Sequence, residues 1–229
     1  VLLMALILLL PLPKLKPSYS KILYSKEGTL LAASISDEQQ WCFPLDGAIP
    51  EKLKKCIVPY EDEYMDWHPG INPVAVIKSL VLNIRYGKVK RGASTLSMQV
   101  MRMKNKHAER SWINKIRETL GSIKYSLLNA DDSILREWCE IAPFGGNTIG
   151  IKAASLRYFG RSLEKLSWSE YAMLAVMPNG PSSANLSINR SVLLQKRNLL
   201  LRKLKNRGFF DENELAIYMD EDMPFETKS

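Results

Sequence analysis

The sequence predicts a mainly helical protein, mainly α, with a small β-hairpin region near its N-terminus. After residue 50, apolar residues recur at helical spacing through most of the chain, and the runs are punctuated by capping residues. Short apolar runs rich in Ile, Leu and Tyr, of the kind that form strands, are confined to Ser20–Phe43. The 229 residues fit one large domain or two small ones, and a hydrophobic content of 46% supplies a sizeable core and excludes a disordered chain. The 32 Lys and Arg against 24 Asp and Glu leave a net charge of +8, which favours an anionic partner: nucleic acid, phospholipid headgroups or a phosphorylated substrate. Cys42, Cys56 and Cys139 are odd in number and widely spaced, which predicts buried free thiols rather than a zinc set or a disulfide framework.

Residues Val1–Leu12 are apolar apart from Pro11 and run into Pro13, Lys14 and Lys16. The stretch is shorter than the roughly 20 apolar residues of a spanning helix. Because the chain opens on Val, residues 1–13 read as the C-terminal end of a truncated transmembrane anchor. Lys14 and Lys16 behind it argue mildly for a cytoplasmic position. Residues 14–50 read as a β-rich linking region that turns at Lys26-Glu27-Gly28-Thr29. Asn72-Pro73 starts a helix whose Val74, Ile77, Leu80, Val81 and Ile84 share one face until Gly87 stops it. Lys88, Lys90 and Arg91 follow as a basic loop, and Ser94 or Thr95 caps the next helix through Met98, Gln99 and Arg102.

From Trp112 to Leu127 the stripe Ile113, Ile116, Leu120, Ile123 and Leu127 predicts an amphipathic helix. Glu118 lies nearly opposite that stripe, on a face shared with Asn114, Gly121 and Tyr125. Gly121 costs about 1 kcal/mol in a helix interior relative to Ala, so its place beside Glu118 predicts that another group approaches closely. Further helices begin after Asp131, after the loop Pro143-Phe-Gly-Gly146, at Ser167 with Glu170 as a capping box, at Asn189, and at Asp211 with Glu214. The C-terminal half therefore reads as all helix, broken at Pro178-Asn-Gly-Pro181. Arg190, Lys196, Arg197, Arg202, Lys203, Lys205 and Arg207 make the Asn189 helix basic, which reads as a solvated face. No repeat, P-loop or dinucleotide fingerprint is present.

The stretch Glu61-Asp-Glu-Tyr-Met-Asp-Trp-His-Pro-Gly70 crowds four carboxylates and one of the two histidines into ten residues. A carboxylate held near other acids, aromatic rings and an imidazole can have its pKa raised toward neutrality, as a general base or acid requires. Taken alone, the run reads first as a solvated acidic loop. Two later segments change that balance. Glu61–Gly70, Gly92-Ala-Ser-Thr-Leu-Ser-Met-Gln99 and Lys115-Ile-Arg-Glu118 resemble, in order and approximate spacing, the signature motifs of glycosyltransferase family 51, the peptidoglycan glycosyltransferases. Ala142-Pro-Phe-Gly-Gly146, Ala153-Ala-Ser-Leu-Arg-Tyr-Phe-Gly160 and Leu166-Ser-Trp-Ser-Glu170 match the remaining motifs, and the Ala-Pro-Phe-Gly-Gly form resembles the penicillin-binding protein 1C subgroup. The resemblance covers nearly the whole chain.

The resemblance implies a lysozyme-like helical domain over residues 51–229, with a membrane-associated lobe. It implies a single N-terminal anchor in the bacterial inner (cytoplasmic) membrane and a catalytic domain facing the periplasm or cell exterior, against the weak signal of Lys14 and Lys16. The implied partners are lipid II, the growing glycan strand, the membrane and other cell-wall synthesis proteins, with no nucleic acid. The implied reaction joins sugars by β-1,4 linkages with inversion and loss of polyprenyl diphosphate. Glu61 matches the catalytic base and Glu118 the second catalytic carboxylate, which positions the diphosphate together with a divalent cation, Mg or Mn. Thr95, Gln99, Arg102 and Lys115 fall on positions that contact diphosphate or sugar, Asp62 and His68 shape the site of Glu61, and Glu63 and Asp66 remain as solvated charges.

Several positions depart from the family pattern. Met65 replaces a Phe, Met98 and Met103 stand for Gln and Asn, Asn114 for an Arg, Arg102 for a Lys, Ala130-Asp131 for Ser-Lys, and Glu140 for Asn. The lost cations weaken a clamp on diphosphate, so two other readings stand beside the enzyme: a degenerate, non-catalytic lipid II binding or scaffolding protein, and a lysozyme-like hydrolase that cleaves peptidoglycan. Ser18-Tyr-Ser-Lys21 and Ser162-Leu-Glu-Lys165 fit Ser-x-x-Lys, but no Lys-Thr-Gly follows. Penicillin binding is therefore not expected from this chain, and a transpeptidase domain would lie beyond Ser229.

Overall fold

The computed structural model describes residues 7–26, 30–87, 93–105, 111–178 and 190–224, without the side chain of Trp112. The turn residues Glu27–Thr29, the basic loop Lys88–Gly92, the break from Asn179 to Pro181 and the expected helix start at Asn189 lie outside them. The chain is mainly helical. Strands β1 (Lys21–Tyr24) and β2 (Leu30–Ser34) form the expected antiparallel hairpin, in register from Lys21↔Ser34 with an irregularity between Leu23 and Tyr24. After β3 (Trp41–Cys42) come helices α1 (Glu51–Glu61), α2 (Pro73–Tyr86), α3 (Leu96–Lys104), α4 (Trp112–Leu128) and α5 (Asp131–Ile141). Strands β4 (Pro143–Gly145) and β5 (Thr148–Ile149) precede α6 (Ile151–Ala154), which runs on as a π-helical turn over Ser155–Phe159. Helices α7 (Trp168–Val176), α8 (Arg190–Asn206) and α9 (Glu212–Asp220) are the last elements among the described residues.

The capping signals act where the sequence places them. Asn72 accepts the N–H of Ala75 at 2.9 Å with Pro73 behind it, and Gly87 ends α2 in the left-handed region. Thr95 caps α3, and reciprocal capping boxes open α7 (Ser167, Glu170) and α9 (Asp211, Glu214). The C-terminal half is not all helix, however. β5 pairs parallel with β3 (Trp41↔Thr148), about 100 residues earlier in the chain, and antiparallel with its sequence neighbour β4, so Pro143–Gly145 is also a strand.

The fold divides into two compact units: residues 1–15 with 61–138, and residues 16–60 with 139–229. In the second unit, Leu53, Ile57, Phe144, Ile151, Met173, Leu201 and Leu204 are buried, as are the free thiols Cys42, Cys56 and Cys139. The basic face of α8 is partly structural. Arg197 is fully buried and donates to the carbonyls of Met219 and Glu221 at 2.7 Å each. Arg190 donates to those of Met223 and Pro224 at 2.6 and 2.9 Å, and Lys203 to that of Pro59 at 2.8 Å. These cations satisfy backbone carbonyls, so only part of the run is a solvated face.

In the first unit, two helices bury the opposite face from the one their apolar stripes suggest. On α2, Val74, Val76, Ile77, Leu80, Val81 and Ile84 are exposed and Ser79 is buried. On α4, Ile113, Ile116, Leu127 and Leu128 are exposed, while Gly121, Ser122 and Tyr125 face inward. The close approach expected at Gly121 is only ordinary contact: a Cβ there would meet the flexible Met101 side chain of α3, its Sδ at 3.4 Å. Lys124 of α4 donates to the carbonyls of Leu8 and Leu10 at 2.7 Å each, fastening the helical turn at residues 7–9. Among the described residues, no helix is long and apolar enough to cross a membrane.

Candidate active site

Glu61 ends α1, and the chain then passes through Asp62–Gly70 to reach α2. Polar groups lock this loop at both ends. Asp62 is buried with its oxygens separately engaged: Oδ2 accepts the backbone N–H of Leu96 at 3.0 Å, and Oδ1 the Nε2–H of His68 at 2.8 Å. Leu96 is the first residue of α3, so this carboxylate sits on the positive end of a helix. Thr95 accepts the N–H of Met98 at 3.2 Å and donates to the carbonyl of Gly70 at 2.6 Å. Ser122 of α4 donates to the same carbonyl at 3.2 Å. Gly70 has φ +83°, and a Cβ there would lie 2.3 Å from the Ser122 carbonyl oxygen, so the loop crosses α4 where only glycine fits.

The structure thus brings Asp62, His68 and Thr95 together, and their polar atoms bind protein groups that fix the loop against α3. Met65 is buried within the loop, so the residue standing for an aromatic remains an apolar plug. The imidazole of His68 is buried too, and its Nδ1 has no partner among the described residues. Asp66 is exposed, yet it is not simply a solvated charge: it faces Asp131, the first residue of α5. Burial, then the Asp66 carboxylate through charge and hydrogen bonding, push the Asp131 carboxyl above its ordinary value; Asp62 adds to this and His68 opposes it.

Glu61 meets Gln99 rather than the Asp62 pair. Its Oε2 accepts the Nε2–H of Gln99 at 2.7 Å, and the Oε1 of Gln99 accepts the indole N–H of Trp138 at 3.0 Å. Trp138, on α5, is fully buried and escaped the sequence reading, because it lies 39 residues from Gln99 in no recognisable pattern. The scaffold beneath is cross-tied. Lys104 of α3 pairs with Glu137 of α5 at 2.6 Å, Tyr125 of α4 donates to the same carboxylate, and Ser97 and Ser126 hydroxyls meet at 2.6 Å. Burial first, then Glu137, push the Tyr125 phenol up from its ordinary value.

Lys115 and Glu118 face each other on α4 at 3.7 Å, with the Glu118 side chain largely buried and that of Lys115 partly exposed. Arg102 is exposed on α3, one helical turn beyond Gln99. Among the described residues, no group of three or more His, Cys, Asp or Glu side chains is arranged to hold a metal ion. Glu118 offers a single carboxylate, so a hard cation there would have to take most of its ligands from outside the protein.

A transglycosylase family model matches residues 27–205. The chain is 31% identical over 207 residues to penicillin-binding protein 1C of Escherichia coli (strain K12), covering 90% of this chain and 27% of that protein. It is 30% identical over 204 residues to penicillin-binding protein 1A of Aquifex aeolicus (strain VF5), covering 87% and 28%. To penicillin-binding protein 1A/1B of Bacillus subtilis (strain 168) it is 30% identical over 202 residues, covering 88% and 22%. The chain spans about a quarter of the length of these curated relatives. Matched over residues 27–205, most of its length, the chain belongs to the transglycosylase family.

Proposed function

We propose that this chain is a peptidoglycan glycosyltransferase, a hexosyltransferase that polymerises lipid II into β-1,4-linked glycan strands with inversion and release of polyprenyl diphosphate. The observation that carries the reading is the Glu61 carboxylate, presented at the end of α1 with one oxygen held by Gln99 at 2.7 Å on a loop pinned through Asp62, Thr95 and Gly70. A base for a sugar hydroxyl must accept a proton and stay in place while the hydroxyl attacks. Glu61 takes the proton of the acceptor 4-hydroxyl, the oxygen bonds to the donor's anomeric carbon, and the diphosphate leaves from the opposite face. The leaving group carries its electron pair as negative charge. The exposed Arg102 and Lys115 supply positive charge to it, Arg102 with two parallel hydrogen bonds available. Glu118 would hold a Mg or Mn ion against the diphosphate, where the ion's chemistry is to neutralise developing charge.

The apolar faces of α2 and α4 support a membrane-associated lobe within a lysozyme-like fold at the bacterial inner membrane. A lipid-linked substrate keeps its polyprenyl chain in the bilayer, so the catalytic carboxylate must work at the interface. Exposed aliphatic side chains on helices that also carry Lys78, Arg85, Lys115 and Arg117 match a surface that enters the boundary of an anionic membrane. The deciding experiment incubates the chain with lipid II and Mg or Mn, substituting Glu61→Gln and Glu118→Gln separately. Glycan polymer from wild type, with none from Glu61→Gln and a large loss for Glu118→Gln, is the expected result. No polymer from wild type would leave a lipid II scaffold, and soluble fragments released from mature peptidoglycan would mark a hydrolase.

A further inference from the structure

We infer that Trp138 is a positioning residue that holds Glu61 in its ionised, base-competent form through Gln99. This rests on the reading of Glu61 as the base. The argument is one of hydrogen-bond polarity. An indole N–H can only donate, so the Gln99 atom facing it at 3.0 Å must be the amide oxygen. With Oε1 committed to Trp138, the other end of the planar amide is the NH2 group, and it is this end that lies 2.7 Å from Glu61 Oε2. An N–H aimed at a carboxyl oxygen stabilises the ionised form, and a charge-assisted bond of this length is the stronger kind.

Without the indole, the choice is lost. A Gln side chain turned by half a revolution about its last torsion would present Oε1 to Glu61, and that contact is favourable only when Glu61 carries a proton to donate. Trp138 is fully buried on α5, Gln99 lies in the buried first turns of α3, and Glu61 ends α1, so three helices must be in place for the relay to exist. Low dielectric around the buried indole and amide strengthens each bond and makes the wrong amide orientation costly. The relay gives the base a fixed direction as well as a fixed charge, because Gln99 ties its Oε2.

The test replaces Trp138 with its benzothienyl isostere, which keeps the bicyclic shape but puts sulfur in place of N–H, alongside Trp138→Phe. Carboxyl-labelled glutamate, with the Glu61 signal assigned from Glu61→Gln, gives the titration midpoint of Glu61 by NMR without substrate. The midpoint is expected to rise by about one pH unit in the isostere. The acid limb of the kcat/KM profile for lipid II polymerisation should move up by the same amount, about tenfold lower rate on that limb. An unchanged Glu61 midpoint in the isostere overturns the inference, whether or not Trp138→Phe folds. Absence of polymerisation in wild type would instead sink the proposed activity, and the carboxyl titration would still decide the relay.

Discussion

Replacing Ile77 and Ile84 of α2 with Gln tests whether its outward apolar face enters a bilayer. The two side chains are 62% and 72% exposed, on a helix where Leu80 and Val81 are 58% and 59% exposed. Taking about 2 kcal/mol for complete transfer of an aliphatic side chain from water, the exposed fractions of the two isoleucines amount to about 2.7 kcal/mol. Gln is a good helix former of similar size, so the helix itself is preserved. Partitioning onto vesicles should therefore weaken by about 100-fold. Folded stability should change by no more than about 0.5 kcal/mol, since neither residue packs in a core. Co-sedimentation with phosphatidylcholine vesicles at high salt isolates the apolar contribution, because surface charge is screened there. Vesicle binding within twofold of wild type, with melting unchanged, would refute the assignment of this face to lipid.

The remaining predictions concern the Asp62–Gly70 loop and its neighbour. Gly70→Ala would force a Cβ to 2.3 Å from the Ser122 carbonyl oxygen at φ +83°, and should destabilise by about 3 kcal/mol or more in urea unfolding while abolishing activity through displacement of Glu61. Asp131 has its carboxyl pKa raised in the fold, chiefly by burial and then by Asp66. A raised acid contributes full stability below its unfolded pKa and loses it as pH rises through the folded value. Asp131→Asn, which mimics the protonated form, should therefore melt higher than wild type at pH 7 and converge with it near pH 4. The opposite trend in a melting series would contradict the Asp66–Asp131 contact.

Much of the helical framework was legible because capping acts over a single turn. Asn72-Pro73, Gly87, Thr95, Ser167 with Glu170 and Asp211 with Glu214 each satisfy orphan backbone groups next to them in sequence, and each does so in the fold. The family was legible for a different reason, because ordered motifs carry it; that Glu61, Gln99, Lys115 and Glu118 share one compact unit is seen only in the fold. What escaped was non-local. Thr148–Ile149 has no strong strand signal, yet it pairs with β3 about 100 residues earlier while Pro143–Gly145 pairs with it from the other side. Arg197 reads as one of a run of surface cations, but carbonyls near the end of α9 call it inward. Asp66 reads as a solvated acid and meets a second acid from α5.

The apolar stripes of α2 and α4 mark the boundary most clearly. Their spacing establishes that these segments are amphipathic helices, since periodicity depends only on the helix repeat. Which side of each faces protein depends on what packs there. The three-dimensional arrangement buries Ser79 on α2 and Gly121, Ser122 and Tyr125 on α4, and leaves the aliphatic side chains outside. The same holds at Glu61. The sequence places Glu61 in a crowded acidic run and assigns it a role by resemblance, whereas its contact with Gln99, and Gln99's with Trp138, arises from residues 38 and 39 positions apart. Local spacing specifies elements and their ends; the direction of a hydrogen bond between distant side chains is decided only when the helices pack, because no shorter-range interaction can select it.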